Sequence, residues 1–267
     1  MCIAFFSRWI HRSGNNLVAL INLIHYSFHV KKYRKFQVPT HPLFHVCCNT
    51  NDEYDCCECD TTYDLTNRIN PCGIGFTLSI DDMKKIFKKY LSIKIQSSSV
   101  YSDIAVHIRS GDLFGHCPHG LYVQPPFQFY KEIIERNSNK TIIFVYENTS
   151  NPVIKMLMDN CEPLSNVSFQ SSTLENDILT LSHCKCLVFG VGSFCVIPFV
   201  ISDTIKEIIF PERGLQMGHY GIPKETSYHM PTLNHYMNSW HNTEEQKQKM
   251  ITYELSEEDK IKCTMNT

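Results

Sequence analysis

The residues best equipped for chemistry stand together at Arg109-Ser110-Gly111-Asp112. Four apolar residues, Ile104, Ala105, Val106 and Ile108, precede them, broken only by His107. An apolar run of that length, ended by Ser-Gly-Asp turn chemistry, predicts a short strand buried in a parallel sheet. Arg109 then falls at the carboxyl end of the strand, where open α/β sheets place their ligands. A guanidinium carries a rigid fork of donors that matches a phosphate. The same spacing equally suits an Arg109–Asp112 ion pair that merely ties the turn, because such structural pairs are common.

Two glycine turns offer a second and third site. Ser13-Gly14-Asn15-Asn16 precedes apolar residues at helical spacing, Leu17, Leu20, Ile21, Ile24 and Phe28. A Gly-Asn turn feeding a helix presents free backbone amides to an anion or hydroxyl, and also suits plain capping by Ser13 or Asn15. Gly190-Val191-Gly192-Ser193-Phe194 follows the apolar run Cys186–Phe189. Glycines at a strand–helix turn let backbone amides approach a phosphate, and tight helix–sheet packing accounts for them as well.

Together these stretches resemble the fucosyltransferase superfamily of α1,2-, α1,6- and protein O-fucosyltransferases. His107-Ile108-Arg109-Ser110-Gly111-Asp112 is similar to its H-x-R-R-x-D motif, with Ser110 where many members have a second Arg. Asn15 matches the Asn of its Gly-x-Asn turn, and Asn16 replaces a Gln. The run from Asp177 through Gly192-Ser193-Phe194 resembles a later motif ending in Ser-Ser/Thr-Phe, with Gly192 in place of the hydroxyl residue. The resemblance implies a GT-B-like α/β fold of two Rossmann-like lobes with a cleft between them. It implies an inverting, metal-independent transfer of fucose from GDP-fucose to a glycan acceptor. Donor-binding residues would be Gly14, Asn15, Asn16, His107, Arg109, Asp177, Gly192, Ser193 and Phe194, with Arg109 and Asp112 as the catalytic pair. Inversion needs a base for the acceptor hydroxyl. Asp112, His107, His116 and His119 all stand nearby, and orienting Arg109 is the better-supported role for Asp112. Departures at Ser110 and Gly192 keep two alternatives open: another sugar, such as xylose from a UDP donor, or an inactive sugar-nucleotide-binding protein.

The elements that must position these residues follow from periodicity. Ile3–Phe6 reads as a strand ahead of the Asn15 helix, and Asp81–Leu91 as a helix with Met83, Ile86, Phe87 and Tyr90 on one face. A polar break at residues 96–99 separates an N-terminal acceptor-side lobe, 1–97, from a nucleotide-sugar lobe, 98–225. In the second lobe helices and strands alternate. A helix follows Pro125-Pro126, a strand spans Thr141–Tyr146, a helix runs from Asn151-Pro152 to Met158, and another covers Leu174–Cys184. Strand Cys186–Phe189, a helix to Ile201 and strand Ile205–Phe210 complete a parallel sheet of Rossmann type. Residues 226–267 read as a helix capped by Asn242 or Thr243, crossing back over the first domain into a frayed tail.

Composition bounds the partners. The chain has 267 residues and a formal net charge of -2, which gives no electrostatic case for nucleic acid or an anionic membrane. No apolar run reaches the roughly 20 residues of a membrane helix, so the sequence as given reads as soluble and cytoplasmic. Related secretory-pathway enzymes carry an anchor, so a Golgi or other secretory location requires one that this sequence does not hold. Asp81-Asp82 sits at a lysine-rich helix start, where capping explains it, and no D-x-D metal motif is present. Of 13 cysteines, six crowd residues 47–72 with one C-x-x-C spacing, Cys56–Cys59, and no second such pair, which argues for a loop of free or bridged thiols over a zinc site.

Overall fold

The computed structural model describes residues 3–5, 13–30, 35–38, 40–46, 62–64, 78–94, 101–116, 118–161, 164–210, 227–229, 236–256 and 263–264. The cysteines expected to cluster at residues 47–72 lie outside them. The chain forms two compact units, Met1–Gln96 with Met217–Pro223, and Ser97–Gln216 with Lys224–Thr267. Each is mixed α/β and contains a parallel sheet.

In the first unit β1 (Ile3–Phe5) lies between β2 (Lys35–Gln37) and β4 (Thr62–Asp64), parallel to both. Helix α1 (Ser13–Ile24) follows β1 and widens into a π-helical turn over His25–Val30. Its apolar residues Leu17, Leu20, Ile21 and Ile24 are all fully buried, as their spacing predicts. Helix α2 (Ile80–Tyr90) is capped by Ser79, whose hydroxyl accepts from the Asp82 amide at 3.1 Å. Met83, Ile86, Phe87 and Tyr90 form its buried face, and α2 packs on α1. A small antiparallel pair, β3 (Phe44–Val46) with β5 (Leu91–Ile93), completes the unit.

The second unit is built on a seven-stranded sheet. Its strands are β6 (Ser102–Ile108), β7 (Ile142–Tyr146), β8 (Val167–Gln170), β9 (Cys184–Val188), β10 (Glu207–Ile209), β11 (Ser227–His229) and β12 (Cys263–Thr264). Their order is β12-β11-β10-β9-β6-β7-β8, and every pairing is parallel except β11 with β12. From β6 the chain first builds outward through β7 to β8. It then returns to the other side of β6 and builds through β9 and β10 to β11. This is the doubly wound dinucleotide-fold order, and its direction reverses between β6 and β9.

Helices α3 (Phe127–Arg136) and α4 (Pro152–Cys161) follow β6 and β7. Ile104, Val106 and Ile108 of β6 share a buried core with Phe129, Ile133, Ile154 and Leu157 of these helices. Helix α5 (Leu174–Ser182) packs on β6, β7 and β9, and on α6 (Val196–Ile201). Covered by these helices, β7 is wholly apolar and β6 is apolar from Ile104 to Ile108 but for His107, as a doubly buried parallel strand requires. Helix α7 (Glu244–Thr252) is capped by Thr243, which accepts from the Gln246 amide at 3.2 Å. It was expected to return to the first domain, but it lies against α3 and α4 of the second unit. The reason is its one fully buried apolar residue, Met250, which joins their core together with Tyr236 and Trp240 just upstream.

Candidate functional site

The reversal point of the sheet places two loops side by side, one after β6 and one after β9. Val106 pairs with Val188, so Arg109 and Gly190 emerge from adjacent strand ends. Arg109 directs Nη2 at both carboxylate oxygens of Asp112, at 3.0 and 3.3 Å. Its Nη1 faces the other loop, 3.3 Å from where a Cβ on Gly192 would stand. Gly192 has φ +94, a left-handed conformation that side chains resist, so glycine both permits the turn and leaves room for the guanidinium. Ser193 and Phe194 follow, half-buried, and the carbonyl of Ser193 accepts from the Val196 amide at 3.1 Å.

His107 sits beneath this junction. Its ring packs on Phe194 with centroids 4.8 Å apart, and it is buried. Desolvation first, and the nearby Arg109 charge second, push its pKa down to about 3. The imidazole is therefore neutral at neutral pH, and so low a pKa makes it a weak proton acceptor. Unfolded, a histidine titrates near 6.5. Between those values the unfolded chain holds the extra proton, so the fold loses stability as pH falls from about 6.5 toward 3. Melting temperature measured across that range is expected to drop for the wild type and to drop less steeply for His107→Gln.

A second set of contacts holds the Arg109 turn from the β7 side. Asn151, fully buried, donates Nδ2 to the Arg109 carbonyl at 3.0 Å and accepts from the Val153 amide at 3.0 Å. Ser110 Oγ accepts from the Asn148 amide at 3.1 Å, and Ser150 Oγ accepts from the Gly111 amide at 2.9 Å. Three consecutive residues are thus gripped by one loop. Ser110, which departs from the family motif, is buried and serves this grip. Further along, Trp240 donates Nε1 to the Leu113 carbonyl at 2.8 Å and its amide to the Gly120 carbonyl at 2.8 Å.

His107, Arg109, Asp112, Gly192, Ser193 and Phe194 are therefore brought together. Asp177 stands apart from that group on α5, where Gln170 Nε2 donates to its carboxylate at 2.8 Å and burial raises its pKa. Gly14, Asn15 and Asn16 belong to the first unit; they form the first turn of α1 itself, where a turn ahead of the helix was expected. Gly14 and Asn16 are buried and Asn15 is half-buried. Sequence reasoning missed the Asn151, Ser150 and Asn148 grip. Asn151-Pro152 reads correctly as a helix start, but nothing in its spacing says that the same amide reaches 42 residues back. It also missed Tyr122, which reaches the Gly192 turn from a loop without periodicity.

Among the described residues no group of three or more His, Cys, Asp or Glu is placed to hold a metal ion. No helix among them is long and apolar enough to cross a membrane. A groove of about 570 Å³ beside α7, lined by Met237, Ser239, His241, Gln246 and Lys249 among others, shares no residue with the reversal-point site.

This is a doubly wound α/β unit with a cationic and glycine-lined turn at its reversal point. No known protein family's profile matches the chain. No curated protein matches it either. Among solved structures, the E. coli heptosyltransferase WaaC with ADP aligns with 87% of this chain and 94% of its own, at TM-score 0.46 and 12% identity. That likeness is loose.

Proposed function

We propose that the chain is a nucleotide-sugar glycosyltransferase that binds the donor diphosphate at the reversal point of its second unit. The observation that carries this is the convergence of Arg109 Nη1 on the Gly192 turn, whose next residue is Ser193. A fixed cation and free donors at the carboxyl ends of two central strands are what a departing diphosphate needs. The resemblance supplies the finer terms: fucose from GDP-fucose, a glycan acceptor, inversion and no metal, in a two-lobed GT-B arrangement. Asp112, held on Arg109, acts as its orienting partner. With His107 buried and only weakly basic, the acceptor base falls to another group or to none.

A panel of GDP, UDP and ADP with their sugars, run in EDTA, tests the reading through thermal shift, since a ligand raises the melting temperature by mass action. One nucleoside diphosphate should stabilise the protein, and turnover of its sugar should persist without divalent ions. Ser193→Ala should weaken that ligand about tenfold or more, the cost of a hydroxyl bonded to a charged phosphate, without lowering the melting point of the free protein. No shift with any nucleotide would end the proposal.

The Arg109–Asp112 ion pair favours a second reading, a protein in which this motif is only structural and no sugar is transferred. That reading predicts no nucleotide shift in the same panel.

A further inference from the structure

Tyr122 lies where no motif places it, beside Gly192 together with Arg109. Its hydroxyl-bearing ring carbon is 3.9 Å from the position a Gly192 Cβ would take, and Arg109 Nη1 is 3.3 Å from the same point. Guanidinium and phenol thus border one glycine that contributes no side chain of its own.

Tyr122 is held there. Its amide donates to the His119 carbonyl at 3.0 Å, closing a turn, and the two rings stack with centroids 4.6 Å apart. Gln124, fully buried, donates Nε2 to the Tyr122 carbonyl at 2.8 Å. Trp240 anchors the start of the same turn through the Gly120 carbonyl. One face of the phenol is covered by His119, so the edge and the hydroxyl remain for a ligand. That hydroxyl makes no hydrogen bond among the described residues, and the ring is only half-buried.

We infer that Tyr122 is a further ligand-binding residue of this site, donating its hydroxyl to a phosphate oxygen of a bound nucleoside diphosphate. The inference rests on the proposed function and adds a contact to it. Arg109 has committed Nη2 to Asp112, which leaves Nη1 as its forward donor. A diphosphate carries more oxygens than the two N–H of Nη1 can serve, and a fixed neutral phenol supplies a further donor without adding charge. Since the contact is to phosphate, its worth is the same whichever base the nucleotide carries.

Isothermal titration of the full chain with ADP, GDP, UDP and inorganic pyrophosphate tests this at one fixed salt concentration. Tyr122→Phe removes only the hydroxyl. It is expected to weaken the preferred nucleoside diphosphate and pyrophosphate by the same factor, roughly tenfold, with the melting temperature of the free protein unchanged. If the wild type binds a nucleoside diphosphate and Tyr122→Phe binds it at the same strength, this inference falls and the proposed function stands. A loss confined to the nucleotide, with pyrophosphate unaffected, also overturns it, because the phenol would then be reading the nucleoside. If the wild type binds none of the four, both fall together.

Discussion

Arg109→Ala is expected to lower turnover about a hundred- to a thousandfold while weakening donor binding much less. Negative charge grows on the diphosphate as the glycosidic bond breaks, so a cation aimed at it gains most in the transition state. The geometry suits that role, with Nη2 fixed by Asp112 and Nη1 presented to the Gly192 turn. Arg109→Lys should restore little, since an ammonium cannot hold Asp112 and face the turn through a planar fork. The competing account makes the ion pair a brace for the turn. But Asn151, Ser150 and Asn148 already hold residues 109–111 through hydrogen bonds that use only the backbone of Arg109 and Gly111 and the hydroxyl of Ser110. A partly exposed ion pair adds at most about 1 kcal/mol to that. Arg109→Ala and Asp112→Asn should therefore melt near the wild type, with the alanine far the slower enzyme. Steady-state kinetics and melting curves on both variants decide the matter. A folded Arg109→Ala protein with near-normal turnover ends the glycosyltransferase reading.

The largest expected loss of stability is at Gly190. A Cβ there would stand 2.7 Å from the His107 carbonyl oxygen and 2.5 Å from its Nδ1. The carbonyl belongs to the central strand and cannot give way, so β6 and the loop after β9 must be pushed apart. Overpacking of this kind costs about 3 kcal/mol or more when backbone is the obstacle. For a chain of this size that is a drop of roughly 6–12 °C in melting temperature. Gly192→Ala meets only the movable ends of Arg109 and Tyr122, and its strain comes from φ. The order of severity, Gly190 worse than Gly192 in the melt and Gly192 worse in ligand binding, separates a packing glycine from a site glycine. Equal and small effects at Gly190 would mean the two strand ends are not so closely set.

Much of the second unit was legible because its central strands carry apolar runs broken at most by one polar residue. Ile104–Ile108 and Ile142–Tyr146 could only be buried strands, and Thr243 with Gln246 announced a helix start that the structure keeps. Strand β8 was not seen, because Val-Ser-Phe-Gln at a sheet edge is half-polar and only four residues long. The same holds for β11 and β12, of three and two residues. Strand order is invisible to periodicity altogether, yet it decides that Arg109 and Gly192 meet. Of the site, the residues in glycine and charge motifs were readable from type and spacing. Asn151 and Tyr122 were not, because each acts through an approach that depends on tertiary packing.

Cys184 and Cys186 on β9, and Cys195 at the start of α6, are free thiols, all buried. Desolvation pushes Cys184 and Cys195 up to about 12 and Cys186 well above its ordinary value, so none offers a thiolate to an oxidant while the fold is intact. That protection arrives late. β9 pairs with β6 across the whole β7–α5 segment, and sheets built on such distant pairings form slowly. Until then the same sulfurs titrate like any exposed cysteine, in a chain with 13 of them. The strand that completes the reversal point is thus also the one through which oxidation during biogenesis can trap the protein in a wrongly bridged form.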